Sequence, residues 1–408
     1  MPFVKSPSGQ SRIRFACLLL IATLTLTACS HHQVQLHAGT ANYHHYPEGG
    51  GLFVSAAFAP DGRLWRIVPE KKHVYVDYST DLGKTFSAPV PVNKEAQHIK
   101  ASGENRPGIV IDRSGRIIVV YAAEGTQPLA LYFSVSTDHG RSFSTPLPVS
   151  DKADEANSFQ GRLAVSPSDQ AYLFWHDERD RTDWRQPGNS IYYWTLTHNA
   201  RQSPVAQKLA ESICECCHIA AAFDHNGQPV VLTRFIYPGG IRDHGLIRVQ
   251  KNANAPISRR ATYDQWHIEA CPEHGPAIAI SDGNRYHITW FTQGSVRKGI
   301  FYAHSSDQGM HFTEPLPLGI PERLPSHPDI LALGTAVFIA WTEFDGQKTL
   351  LQVMKSSDDG LTWSKAMPVA EASAEADFPF LLSDTRDIFV SWNSKTEGYR
   401  LIPLNSLN

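Results

Sequence analysis

Apolar runs of about four to eight residues, rich in β-branched and aromatic side chains, alternate along this chain with short polar turns. That pattern predicts antiparallel strands joined by hairpins. Gly108-Ile109-Val110-Ile111-Asp112, the turn Arg113-Ser114-Gly115 and the run Arg116-Ile117-Ile118-Val119-Val120-Tyr121 make one such pair. First strands of this kind stand near Phe53, Ile109, Leu163, Ala221, Ile278, Ile330 and Leu381, seven in all. An aromatic recurs at strand ends, at Tyr121, Trp175, Trp290, Trp341 and Trp392, where regular spacing predicts packing between neighbouring sheets.

Four of the turns are copies of one another. Ser79 to Phe86, Ser136 to Phe143, Ser305 to Phe312 and Ser356 to Trp363 share the pattern S-[ST]-D-x-G-x-x-[FW]. Asp81, Asp138, Asp307 and Asp358 can each bond their own backbone, the glycine two residues on takes a positive φ, and the last aromatic plugs the hairpin into the layer beneath. The aspartates are 57, 169 and 51 residues apart, and 169 is close to three repeats. Two worn copies therefore fall between the second and third, at Ile191 to Thr197 and at Leu246 to Gln250. One repeat is then four antiparallel strands in about 55 residues, the size of a propeller blade. The chain is expected to be all-β, a seven-bladed propeller spanning 51–408. Gln33-Val34-Gln35-Leu36 supplies the strand that closes the ring, whereas a six-bladed ring would leave a strand pair without a place.

Composition adds a core and removes one class of partner. Hydrophobic residues are 42% of the chain and charged ones 19%, ample for a core shared between stacked sheets. Residues 1–28 carry Lys5, Arg12 and Arg14 ahead of an apolar stretch from Ala16 to Leu26, which is too short to span a bilayer and reads as a targeting segment. Removing those three basic residues from 37 leaves 34 against 40 acidic, a net of −6, so nucleic acid is not expected as a partner. Residues 29–50 form a His-rich tether before the propeller.

Superposing the repeats brings distant residues to one channel mouth: Asn105 and Arg106, Gln160 and Arg162, Cys217 and His218, Glu273 and His274, Ser326 and His327, Asp377 and Phe378. Long polar loops gather nearby, at His176 to Arg181, Tyr237 to His244 and Trp266 to Pro276, and long loops on a rigid ring tend to carry function. Arg106, His218, Arg242, Asp243, His244, Glu273, His274 and His327 are the candidate ligand-binding residues, for a small molecule, glycan, metal or protein ligand. Cys214, Cys216, Cys217 and Cys271 lie in equivalent loops one repeat apart. Three readings of them stand open. In an oxidising compartment they would pair as disulfides, with a link from the cluster to Cys271 as the natural staple. With His218, His274 and His327 they would instead bind copper or zinc. Cys214, Cys217 and His218 also match the C-x-x-C-H pattern of covalent c-type haem.

The four-fold turn motif resembles the Asp-box, or BNR repeat, of the sialidase-like propeller superfamily, and the likeness spans nearly the whole chain after the leader. That superfamily includes sialidases, other glycosidases and noncatalytic binding proteins. A sialidase would imply three arginines gripping a carboxylate and a Tyr nucleophile backed by an acid. Arg106, Arg162 and Arg242 with Tyr237 and Glu273 or Asp177 are the residues that could fill those roles. The usual Arg-Ile-Pro-type motif of the first inner strand is absent from Gly51-Leu52-Phe53-Val54, and the similar Arg66-Ile67-Val68-Pro69 falls on a second strand. A noncatalytic binding protein is therefore expected, with a sialidase-type glycoside hydrolase as the alternative. Leu26-Thr27-Ala28-Cys29 resembles the lipobox of bacterial lipoproteins, which implies a lipid on Cys29. Ser30 after it implies outer-membrane sorting, facing the periplasm.

Overall fold

The computed structural model describes residues 52–124, 128–183, 187–196, 205–250 and 255–405. Its apolar runs form strands that pair in sequence order, and each group of strands is one blade. Blade one consists of Ser55–Phe58, Leu64–Pro69, Val74–Ser79 and Val90–Pro91, ordered from the channel outward. Blades three to six repeat this four-stranded order behind the inner strands Ser158–Val165, Ala220–Phe223, Ala277–Ile280 and Ser326–Leu333. In blade two the inner strand is split into His98–Lys100 and Gly108–Ile111, both paired with Ile117–Glu124. Blade seven has Phe380–Ser383, Ile388–Ser394 and Gly398–Pro403 among the described residues.

Each inner strand lies against the inner strands of the blades before and after it, and Ser55–Phe58 meets Phe380–Ser383, so the ring closes with seven blades. The proposed closing strand Gln33–Leu36, the leader, Cys29 and the His-rich tether lie outside the described residues. One boundary differs from expectation. The inner strand of blade one begins at Ser55 rather than at Gly51, because Phe53 is left-handed at φ 66° and leaves the ladder. Arg66 does lie on the second strand, where it is paired to both oxygens of Asp77 and stacked over Phe86.

The recurring aromatics pack between blades as expected. Trp175, Trp290, Trp341 and Trp392 are buried on second strands, and each indole N–H finds an acceptor: Asp177 at 2.9 Å, Asp264 at 2.8 Å, Glu343 at 3.0 Å and the carbonyl of Asp377 at 2.7 Å. A buried indole left unpaired would cost about 1–3 kcal/mol, which gives these carboxylates a structural task.

The four Asp-boxes are locked alike. In the first, Asp81 Oδ1 accepts the Thr85 N–H at 2.9 Å, Oδ2 accepts the Thr85 hydroxyl at 2.6 Å, and Ser79 Oγ accepts the Gly83 N–H at 2.8 Å. Hydrogen bonds from Thr85, Ser142 and Thr362 hold Asp81, Asp138 and Asp358 down at about 2. Their folded values lie below the ordinary carboxylate value, so the locks persist through neutral and mildly acidic pH and open only as pH falls through about 2. The glycine has a second role, because the turn of each such blade presses on the preceding blade. Gly140 of blade two faces Trp65 of blade one, and a Cβ on Gly83 of blade one would stand 3.5 Å from Leu401 and Tyr399 of blade seven. A Cβ on Gly140 would overlap the Trp65 ring, and its φ is +78°. We expect Gly140→Ala to cost about 2–4 kcal/mol in urea unfolding, from backbone strain plus overpacking. Gly227, at φ +71° with nothing within 4 Å, is the control and should cost only the strain when changed to Ala, about 1–2 kcal/mol.

Candidate ligand site at the channel mouth

The mouth is built where the inner strands begin. Phe53, Gln160, Glu273 and His327 stand there in the left-handed region, at φ 66°, 51°, 45° and 51°. None is glycine, and such strain gathers at functional sites. A left-handed residue withdraws its amide from the ladder, and the neighbouring blades take up those amides. Asp377 accepts the N–H groups of Phe53 and of its neighbour Val54 at 2.7 and 3.0 Å, and Asn105 accepts that of Gln160 at 2.8 Å; a further bond between blades, not from a left-handed residue, runs from the Leu381 N–H to Asp329 at 2.7 Å. Bulges between Phe159 and Arg162 and between Ser326 and Asp329 mark the same place in blades three and six.

The loop between His98–Lys100 and Gly108–Ile111 folds over this mouth. Glu104 reaches from blade two to blades four and five, accepting the His218 N–H at 3.1 Å and the Gly275 N–H at 3.3 Å. Its Oε1 lies 4.0 Å from His327 Nε2 of blade six. Gly103 sits so close to the Phe378 ring of blade seven that a Cβ would overlap it. Beneath this loop is a cavity of about 300 Å³ lined by Glu104, Arg106, Gln160, Arg162, His218, His327, Asp329, Phe378 and Phe380.

Arg106 donates to the Phe378 carbonyl at 2.8 Å, and its guanidinium stands 4.8 Å from the Phe380 ring centroid. Its Nε is buried without a partner, and so is Gln160 Oε1. Arg162 projects into the channel, where it is exposed to solvent yet ringed by protein, and makes no hydrogen bond or ion pair among the described residues. Burial pushes Glu104 up to about 8 against the pull of the Gly275 and His218 amides, and it also raises Asp329. His218 is held down to about 3 by burial and by Arg162 and Arg106, and burial likewise lowers His274 and His327. At neutral pH the mouth thus holds neutral imidazoles, a protonated Glu104 and two arginine charges.

The structure brings some of the residues aligned by repeat position together and not others. Arg106, Arg162, His218 and His327 share the cavity, and His274 stacks on His327 with ring centroids 4.2 Å apart. Other expected members are employed elsewhere. Arg242 bonds Glu215 at 3.1 Å, Cys214 Sγ at 3.2 Å and the Ile268 carbonyl, so it does not join Arg106 and Arg162 as a third arginine. Asp177 is fully buried, holding Trp175, Arg179 and Ser150. Tyr237 packs against Phe235 and under Arg260, and Asp243 pairs with Arg260 and accepts the Asp264 N–H; neither lines the cavity. His244 is buried beside Thr262, and Glu273 is exposed, contributing its carbonyl to His327.

Among the described residues Cys214, Cys216, Cys217 and Cys271 are unbridged, without the expected staple to Cys271. Cys214, Cys216 and Cys217 have their sulfurs within 4.8 Å of one another, apart from the imidazoles. The haem pattern does not fit its surroundings, because Cys214 and Cys217 are fully buried with sulfurs 2.9 Å apart and His218 faces the channel.

Glu104 and Asp329 were missed as site residues. Asp329 stands two residues after His327, as Arg162 stands two after Gln160, so strand alternation puts both on the channel face. Glu104 gave only adjacency to Asn105 and Arg106 as a signal.

No family model matches this chain, and no curated protein sequence matches it. Among solved structures, an ulvan lyase from a new family of polysaccharide lyases is 13% identical, with 87% of this chain and 92% of that one covered at a TM-score of 0.56. A Hadza microbial sialidase is 13% identical, with 84% and 74% covered at 0.51. A protein of unknown function from Dyadobacter fermentans is 11% identical, with 73% and 92% covered at 0.50. The likeness is one of fold. What this chain shares with them is the β-propeller architecture.

Glu104 generates a pH prediction. Its folded value of about 8 lies above the ordinary 4.5, so across that window the folded protein keeps a proton that the unfolded chain has released. Stability should therefore fall as pH rises from about 5 to 8, by an amount on the order of a few kcal/mol. Glu104→Gln should flatten that slope in thermal unfolding scans, and an unchanged slope would remove Glu104 as its source.

Proposed function

We propose that the channel mouth binds a carboxylate-bearing saccharide without cleaving it, and that the protein is tethered to the bacterial envelope by a lipid on Cys29. One observation carries the ligand class. Arg162 stands unpaired in a cavity that Arg106 and Gln160 also line, and two buried atoms of that wall, Arg106 Nε and Gln160 Oε1, have no partner among the described residues. Guanidinium groups match a carboxylate, and the Phe378 and Phe380 rings offer apolar faces to a sugar. The sialidase and ulvan lyase of similar fold act, by their names, on acidic saccharides, which agrees with this reading.

Binding without cleavage follows from the companions. Glycoside hydrolysis needs two acidic groups, or a Tyr and an acid, converging on one bond. Tyr237 and Asp177 are outside the cavity, and its two acids are tied to the backbone, Glu104 to two amides and Asp329 to the Leu381 amide. Hydrolysis is the second reading and rests on Glu104, with Asp329 as the other acid of the cavity, since a carboxyl still protonated at pH 7 has the form a general acid needs.

Calorimetry with free sialic and glucuronic acids should give saturable binding that Arg162→Ala weakens about 10- to 100-fold, the loss of one charged hydrogen bond. A fluorogenic sialoside should release no more fluorophore than background. Turnover that disappears in Glu104→Gln would instead establish the hydrolase. Cys29→Ser should move the chain from the membrane fraction to the soluble periplasm.

A further inference from the structure

Behind the mouth wall lies a second cluster. The segment between the outer strand Gln207–Ile213 of blade three and the inner strand of blade four carries Cys214, Cys216 and Cys217, at 0%, 1% and 0% exposure. Their sulfurs all lie within 4.8 Å of one another, and Cys271 packs at the edge of the group. Isolated buried cysteines behave as small hydrophobes. This trio is different because cations face it: Arg242 Nη1 is 3.2 Å from Cys214 Sγ, and Arg234 is buried beside the cluster, bonded to the His274 and Phe291 carbonyls. The Arg242 guanidinium, shared between Cys214 Sγ and Glu215, suits a thiolate at Cys214.

The geometry points to a three-coordinate site for copper(I) on Cys214, Cys216 and Cys217, separate from the saccharide site and without imidazole ligands. Three sulfurs at about 2.3 Å from a shared ion lie about 4 Å apart, inside the span observed. The 2.9 Å pair of Cys214 and Cys217 opens by about 1 Å to reach that spacing. Soft thiolate ligands select copper(I); zinc requires a fourth donor, which Cys271, touching Cys216 at the edge of the trio, would have to move in to supply. His218 cannot serve, since its side chain lines the channel while Cys217 beside it is buried. Each sulfur that binds as thiolate gives up its proton to solvent, and no electron changes hands.

The test uses the full-length protein, purified anaerobically and titrated with copper(I) from a bicinchoninate buffer. We expect one copper per chain, a thiolate-to-copper charge-transfer band in the near ultraviolet, and a first shell of three sulfurs by X-ray absorption. Cys216→Ser and Cys217→Ser should lose the copper, with folding checked by thermal unfolding. Cys271→Ser and His274→Ala should keep it, and these two need no loss of function to be informative. A shell containing nitrogen, zinc retained through Cys271, no bound metal, or a disulfide found by non-reducing mass spectrometry before loading would each overturn the site.

Discussion

A backbone amide that leaves a β-ladder must be taken up by another acceptor, and the channel mouth depends on how this chain meets that demand. Phe53 and Gln160 turn left-handed at the heads of their strands, and their amides pass to Asp377 and Asn105 of other blades. Because donor and acceptor belong to different blades, the same bonds that relieve the strain fix one blade's position against the next. Arg106, Arg162 and His327 are held in place by this frame, so the site inherits its geometry from the main chain.

Outside the mouth, cohesion comes from repetition. Asp-box glycines let each turn approach the preceding blade, and tryptophans fill the gaps with their indoles satisfied by Asp177, Asp264 and Glu343. Blades three and four lack the Asp-box, and there the polar chemistry is densest. Arg179 ties Asp177, Asp151 and Ser150 together, and Arg242 serves Glu215 and Cys214.

Blade number, strand order and the mouth's membership were readable from the repeat, because a fixed period translates directly into equivalent positions around a ring. What escaped the reading were effects of reach and alternation. Glu104 and Asp329 are ordinary acids until a loop or a strand face aims them into the channel. Arg242 looked like a third substrate arginine, yet Glu215 and Cys214 hold it away from the cavity. Cys217 and His218 are neighbours in sequence, but one is buried and the other faces the channel, so a motif that joined them as ligands dissolved in three dimensions.

Glu104 also gives the ring a mechanical member that its circumference lacks. Contacts between consecutive blades resist stretching along the rim but do little against flattening of a circle into an ellipse. A side chain anchored in blade two and bonded to blades four and five is a chord across that circle, and a chord stiffens a hoop against ovalisation. Whatever enters the mouth must either accept the chord in place or trade it for bonds of its own.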